Sequence, residues 1–137
     1  MILVDSNVLI DVLGDKQAWR DWSIGQLASL AGEQRLIVNQ IAFAEVAPRM
    51  SSVAAFRKQL KAFEIDILAF AEDSAYVAGV AFQGYLARRP EARMVLPDFF
   101  IGGHALILKA AILTRDPRFY RAYFPTVSLI TPAKIDQ

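Results

Sequence analysis

The chain has 137 residues, with 15 basic and 14 acidic side chains and a net charge of +1. This length suits one domain with its own core, and the near-balance of charge neither requires nor excludes a nucleic-acid partner. The sequence has no cysteine and a single histidine, His104, which excludes disulfides, thiolate zinc sites, a cysteine nucleophile and a multi-histidine metal site. Any metal would therefore be a hard, oxygen-preferring ion such as Mg²⁺ or Mn²⁺.

The hydrophobic fraction of 55% exceeds the usual value of about 45–50%. The longest apolar stretch, residues 99–113, is interrupted by His104 and Lys109 and is shorter than the roughly 20 residues of a membrane helix. The N-terminal sequence MILVDSNVLI has no basic leader and is not typical of a secretion signal. We expect a cytoplasmic protein that covers its apolar surplus by dimerising, by binding another protein, or both.

Short apolar runs alternate with helical stretches along the chain. The predicted strands cover residues 2–4, 36–38, 65–67, 111–113 and 127–130. The predicted helices cover 6–13, 19–31, a stretch after Asn39 that Pro48 bends or ends, 53–63, 71–89, a stretch from about Asp98, and a short turn after Asp116. Because the strands are too apolar to have a wet face, we expect an α/β, three-layer fold with a central parallel sheet flanked by helices. Without repeats or a linker, residues 1–137 are expected to form a single domain.

Four acidic residues lie in apolar surroundings: Asp5, Glu45, Asp98 and Asp116. A carboxylate in such surroundings is costly unless it is paired, capped or bound to a cation. Asp5 and Asp116 end predicted strands, where α/β sheets bind their ligands. A pair of Mg²⁺ ions would offset the repulsion among four carboxylates.

Each of these residues also has an ordinary structural explanation. Asp5 could cap the first helix, Glu45 could face solvent, Asp98 could be a favourable charge at a helix start, and Asp116 could be a turn residue before a proline. Two further acids in apolar company, Asp11 and Asp66, are expected outside the site. The first should lie on the outer face of its helix and the second on the wet side of an edge strand.

Several segments together resemble the PIN domain family, in particular the VapC-type toxins of bacterial toxin–antitoxin pairs. They are VDSNVLID at 4–11, the acidic residue Glu45, LPDFFIGGHAL at 96–106 and LTRDPRFYRAYFPTVSLITP at 113–132. The segments occur in family order and span nearly the whole chain. The last segment is the most specific, because a strand that ends in Thr-Arg-Asp is followed by an aromatic, basic turn and a strand leading to proline.

The resemblance implies a PIN-like fold and an Mg²⁺- or Mn²⁺-dependent endoribonuclease that leaves a 5′-phosphate and a 3′-hydroxyl. The family's metal-binding acids match Asp5, Glu45, Asp98 and Asp116. Its polar residues that orient the carboxylates and the attacking water match Asn7 and Thr114.

Three other residues carry expectations. Arg115 is expected either to touch the substrate or to pair with a site carboxylate. Gly102 lies one turn from Asp98 and is expected to leave room for metal and phosphate, while the neighbouring Gly103 is attributed to close packing. His104 is expected to be structural, since it faces away from Asp98 on the helix.

The implied partners are an RNA substrate and a cognate, VapB-like antitoxin that occupies the acidic groove, together with a second copy of the chain. Two alternatives remain open within the family: a PIN-domain ribonuclease of RNA processing outside any toxin–antitoxin pair, and a PIN fold kept as a non-catalytic binding module. A phosphoacceptor receiver domain fits poorly, because Asp66 does not end its strand and Lys109 precedes the strand that it would have to follow.

Overall fold

A computed structural model describes residues 1–14, 18–89 and 96–132. The strands are β1 (Ile2–Val4), β2 (Leu36–Val38), β3 (Ile65–Ile67), β4 (Ala111–Leu113) and β5 (Leu129–Ile130). The helices are α1 (Ser6–Leu13), α2 (Arg20–Ala31), α3 (Gln40–Val46), α4 (Val53–Ala62), α5 (Glu72–Arg88), α6 (Leu96–Leu108) and α7 (Arg118–Tyr123). A 3-10 turn follows α3 at Ala47–Arg49.

The five strands form one parallel sheet in the order β3-β2-β1-β4-β5. The central strand is β1, in which Leu3 is in register with Ile37 on one side and Ile112 on the other. Every residue of β1 and β2 is buried, as expected for a sheet that helices cover on both faces. The predicted α/β fold with a central parallel sheet is therefore confirmed.

The edge strand β3 is partly exposed, with Ile67 as well as Asp66 reaching solvent. Ile65 is buried, whereas Asp66 is exposed, and the Asp66 carboxylate accepts a hydrogen bond of 2.9 Å from Nε of Arg35. The prediction for Asp66 is confirmed.

The strand at the other edge is shorter than expected. Residues 127–130 were predicted to be extended, but β5 covers only Leu129–Ile130. The backbone N–H of Val127 donates to the carbonyl of Phe124 at 3.0 Å, so the chain is still turning out of α7 at Val127 and cannot yet pair with β4.

Helices α5 and α6 approach each other closely at Gly103. A Cβ there would lie 2.8 Å from the Ser74 carbonyl oxygen and 3.1 Å from the Ala78 nitrogen, which confirms that this glycine serves close packing. The expectation for Gly102 was wrong. A Cβ at Gly102 would lie 2.3 Å from the Phe124 ring, so the small residue makes room for that ring and not for a metal or a phosphate.

None of the helices in the described ranges combines the length and the apolarity needed to cross a bilayer.

Candidate active site

Asp5 lies at the carboxyl end of the central strand and is 5% exposed. It caps α1, where its Oδ1 accepts a hydrogen bond of 2.8 Å from the Ser6 backbone. Its Oδ2 accepts two more, each 2.9 Å long, from the hydroxyls of Thr114 and Tyr120. Burial raises the pKa of Asp5 in spite of these three donors, and the charge of Asp116 adds to the rise.

Thr114 connects this carboxylate to the end of β4. Its Oγ1 donates to Asp5 and accepts hydrogen bonds from Asn7 Nδ2 at 3.0 Å and from the Asp116 backbone at 3.1 Å. The Asn7 Oδ1 accepts from the Arg115 backbone at 3.1 Å. Asn7 and Thr114 thus hold the strand end against Asp5, which is the arrangement expected of residues that orient a site carboxylate.

Asp98 lies in the first turn of α6 and is half-buried. Burial, followed by the negative charges of Asp5, Glu45 and Asp116, raises the pKa of Asp98 to about 7. Like charges produce such a rise only when they are close together. The charges of the other three sequence-predicted acids therefore act on Asp98.

Glu45 and Asp116 are more exposed than their apolar sequence neighbours implied. Both side chains reach solvent, since α3 turns Glu45 outwards and Asp116 follows β4 in a bend. Partial burial still raises the pKa of Glu45, the charge of Asp5 raises it further, and the Ser6 side chain offsets part of the rise. Of the four acids only Asp5 is buried, so burial is not their common property.

The donor set suits a hard divalent cation, because four carboxylates offer only oxygen atoms. However, within residues 1–14, 18–89 and 96–132 no three acidic or histidine side chains are gathered tightly enough to hold an ion as they stand. Glu45 and Asp116 are exposed, and like-charge repulsion makes a close group of uncompensated carboxylates costly. The residues fit a divalent metal by chemistry and location, and metal binding by these four acids stays a prediction.

His104 is not one of these residues. It is 2% exposed and its Nδ1 lies 3.2 Å from Nδ2 of Asn39. The Asn39 Oδ1 already accepts from the Ile41 and Ala42 backbones at the start of α3, so Nδ2 must be the donor and Nδ1 the acceptor. Burial lowers the pKa of His104, which agrees with a neutral, structural histidine as expected.

The prediction for Asp11 was partly wrong. Asp11 is outside the carboxylate group, but it is fully buried instead of facing solvent. Its Oδ2 accepts hydrogen bonds of 2.6 Å from Ser23 Oγ and from Arg115 Nε. The expectation that Arg115 might pair with a site carboxylate was also wrong, because its partner is Asp11.

Tyr120 is the residue that the sequence reasoning missed. Tyr120 is 2% exposed, as a core residue would be, but its hydroxyl reaches Asp5. Burial raises the pKa of Tyr120 well above its usual value, and the charges of Asp5, Asp98 and Glu45 raise it further. A buried tyrosine usually needs a hydrogen-bond partner for its hydroxyl. That requirement could have indicated from the sequence that Tyr120 contacts a polar group.

The five-stranded parallel sheet flanked by helices is the fold of a PIN domain. The PIN domain family matches residues 2–125, and the chain belongs to that family. No curated protein sequence matches the chain.

Similar solved structures come from bacterial complexes. VapBC2 from Rickettsia felis, bound to a DNA fragment from its promoter, has a TM-score of 0.72 at 17% identity, covering 96% of this chain and 99% of that one. A toxin–antitoxin complex from Klebsiella pneumoniae has a TM-score of 0.67 at 20% identity, covering 96% and 98%. FitAcB from Neisseria gonorrhoeae has a TM-score of 0.66 at 21% identity, covering 95% and 96%. At these identities the likeness is one of fold.

Proposed function

We propose that this PIN domain is an Mg²⁺- or Mn²⁺-dependent endoribonuclease of the VapC type, the toxin of a toxin–antitoxin pair. The observation that carries the proposal is the buried Asp5 carboxylate, which three hydrogen bonds fix at the carboxyl end of the central strand. The pKa of Asp98 is raised to about 7 by burial and then by the charges of Asp5, Glu45 and Asp116, which agrees with a group of acids in this region. Four acids that repel one another at the carboxyl end of a parallel sheet form a site that lacks its counter-charge. A divalent cation supplies that charge.

The four acids would hold the metal, which on binding would lower the pKa of a water and stabilise negative charge on the phosphodiester. The protein's own contribution is orientation. Three donors, Ser6 N, Thr114 Oγ1 and Tyr120 Oη, fix the Asp5 carboxylate, so that it need not reorganise during the reaction. Because the pKa of Asp98 is raised, a cation bound there would compete with a proton.

RNA as the substrate follows from the resemblance to VapC-type toxins, as does a small antitoxin partner. The similar structures support this assignment, since one of them is described as a toxin–antitoxin complex and the likeness runs over nearly the whole chain. An exposed apolar surface supports a partner chain as well. On α5, Tyr76 is 75% and Val80 58% exposed, and Ile107 of α6 is 43% exposed, which fits a homodimer or an antitoxin contact.

The test begins with metal binding and RNA cleavage by the purified protein. Calorimetric titration with Mg²⁺ and Mn²⁺ should show binding, and total RNA incubated with the protein should acquire new 5′-phosphate ends that can be sequenced. Asp98→Asn and Asp5→Asn should abolish both cleavage and growth arrest on expression. Asp66→Asn is the matched control, since it removes an exposed carboxylate paired with Arg35 outside the proposed site.

Three results would point elsewhere. Cleavage without growth arrest would indicate a PIN ribonuclease of RNA processing. Metal-independent binding of RNA or protein without cleavage would indicate a binding module. Full toxicity of the Asp98→Asn protein would remove the catalytic assignment of these acids.

A further inference from the structure

The Asp11–Arg115 pair lies beside the carboxylate group but does not belong to it. Asp11 is fully buried in α1, and Arg115 reaches it from the loop after β4. Ser23 of α2 donates to the same Oδ2 atom. The pair therefore connects α1, α2 and the loop that carries Thr114 and Asp116.

Stability alone does not explain this pair. Burying a carboxylate is costly, and apolar side chains of similar volume usually hold helices together as well or better. Here the cost is only partly offset, since Oδ1 of Asp11 is buried without a hydrogen-bond partner among the described residues. A buried pair of this kind is better explained by the orientation that it imposes on the exposed partner.

Arg115 is the exposed partner, and among the described residues only its Nε edge has a hydrogen-bond partner. Its Nε donates to Asp11, while the side chain remains 25% exposed and its guanidinium lies 5.9 Å from the centre of the Trp19 ring. Within the described ranges no hydrogen bond joins either Nη atom to another residue. A guanidinium has five N–H donors in a fixed plane, and its free edge matches two oxygens of a phosphate.

The backbone places Arg115 between two residues of the candidate site. Arg115 stands between Thr114 and Asp116, and its N–H is bonded to Asn7. A free arginine at this position would be drawn to the neighbouring Asp116 and would compete with a metal for it. The hydrogen bond of 2.6 Å from Nε to Asp11 commits one edge of the guanidinium to α1 instead.

We propose that Asp11 is a positioning residue that directs the Nη edge of Arg115 towards a backbone phosphate of the RNA, next to the phosphate that is cleaved. The proposal rests on the proposed function, because it takes RNA as the substrate. Arg115 thus has two roles on two edges: Nε anchors it to Asp11, and the Nη atoms bind the nucleic acid.

An effect of charge and an effect of positioning predict opposite changes in RNA affinity for Asp11→Asn. Removing a negative charge near the RNA should tighten binding if charge alone matters, whereas loss of the anchor should weaken it. Binding is measured by fluorescence anisotropy with a pool of short single-stranded RNA oligonucleotides, and every variant is placed in an Asp98→Asn background so that the RNA stays intact. We expect Asp11→Asn to weaken binding about tenfold, as for the loss of one charged hydrogen bond.

The salt dependence of binding identifies the contact as a phosphate contact. Arg115→Ala should weaken binding and lower the slope of log K against log salt by about 0.7, the value for one phosphate on a single strand. Asp11→Asn in the Arg115→Ala background should have no further effect, since both changes remove the same contact. Asp66→Asn, which frees the exposed Arg35, should leave both affinity and slope unchanged.

Arg115→Lys keeps the result interpretable if Asp11→Asn does not fold. A lysine can still pair with Asp11 but has no second edge, so it should fold like the parent and bind RNA as weakly as Arg115→Ala. Unchanged or tighter binding by Asp11→Asn or Arg115→Lys, or an unchanged salt slope for Arg115→Ala, overturns the proposal. Absence of RNA binding by the parent overturns it together with the proposed function, whereas binding without cleavage by the protein with Asp98 intact overturns only the ribonuclease assignment.

Discussion

The hydroxyl of Tyr120 donates a hydrogen bond of 2.9 Å to Oδ2 of Asp5, the same oxygen that accepts from Thr114. Because Asp5 is buried, each donor that it loses leaves part of its charge uncompensated. Hydrogen bonds to a charged group contribute about 1.5–3 kcal/mol. The Tyr120 hydroxyl of α7 is therefore one of the groups that hold the Asp5 carboxylate in place.

Replacing Tyr120 by phenylalanine should keep the packing and remove this donor. We expect RNA cleavage at saturating Mg²⁺ to fall by about tenfold or more, because the Asp5 carboxylate is no longer fixed. The measurement is the cleavage rate over a Mg²⁺ titration. Tyr123→Phe is the control, since Tyr123 lies on the same helix and packs against Phe99, and it should leave the rate unchanged.

The metal-free protein should become less stable as the pH rises. The fold raises the pKa of Asp98 from 3.8 to about 7, so the folded state binds a proton there more tightly than the unfolded chain. The stability linked to that proton is fully present below pH 3.8 and is lost as the pH rises through about 7. Urea unfolding in EDTA from about pH 5 to about pH 8 measures this loss, and Asp98→Asn should make the curve flatter. A steeper curve for the variant would contradict the assignment.

A divalent cation should reverse that pH dependence. Binding to carboxylates requires the Asp98 proton to leave, so Mg²⁺ or Mn²⁺ should raise the melting temperature more at about pH 8 than at about pH 5. A cation at a hundred times its dissociation constant adds about 2.7 kcal/mol. Equal shifts at both pH values, or equal shifts in the Asp98→Asn protein, would mean that the ion binds elsewhere.

Asn39→Ala should destabilise the protein more than removal of an exposed helix cap. Asn39 caps α3 and also donates to the buried His104, so alanine removes a cap and leaves the histidine nitrogen unpaired. We expect a loss of about 2–4 kcal/mol. Ser52→Ala, which removes the exposed cap of α4, should cost about 1 kcal/mol. Similar losses for the two variants, measured by denaturant unfolding, would contradict the role of the histidine contact.

Two glycine-to-alanine substitutions should change the stability of the protein in opposite directions. Gly103→Ala places a methyl group 2.8 Å from the Ser74 carbonyl, and backbone atoms cannot move aside cheaply, so we expect a loss of about 1–3 kcal/mol. Gly79→Ala has no atom within 4 Å of the new Cβ and lies inside α5, so it should stabilise the protein by about 0.5–1 kcal/mol. Thermal unfolding should show a lower melting temperature for Gly103→Ala and a higher one for Gly79→Ala than for the parent protein.

The sheet and the location of Asp5 and Asp116 were predictable, because strand patterns are local and a parallel sheet brings its carboxyl ends to one edge. The environment of Asp11 was not. Reasoning from the face of α1 alone could not detect Ser23 or Arg115, and the latter is 104 residues away in sequence. The two errors on Asp11 and Gly102 have the same origin, since each residue is determined by a side chain from a distant element.

The two hydroxyl groups that donate hydrogen bonds to Asp5 are far from it in sequence, at separations of 109 residues for Thr114 and 115 for Tyr120. During synthesis the strand that carries Asp5 emerges early, whereas both of its hydroxyl donors emerge near the end. An incomplete chain on the ribosome has an unsupported aspartate and lacks Asp116. Under the proposed function, a chain with this connectivity becomes competent to cleave RNA only after nearly all of it has been translated.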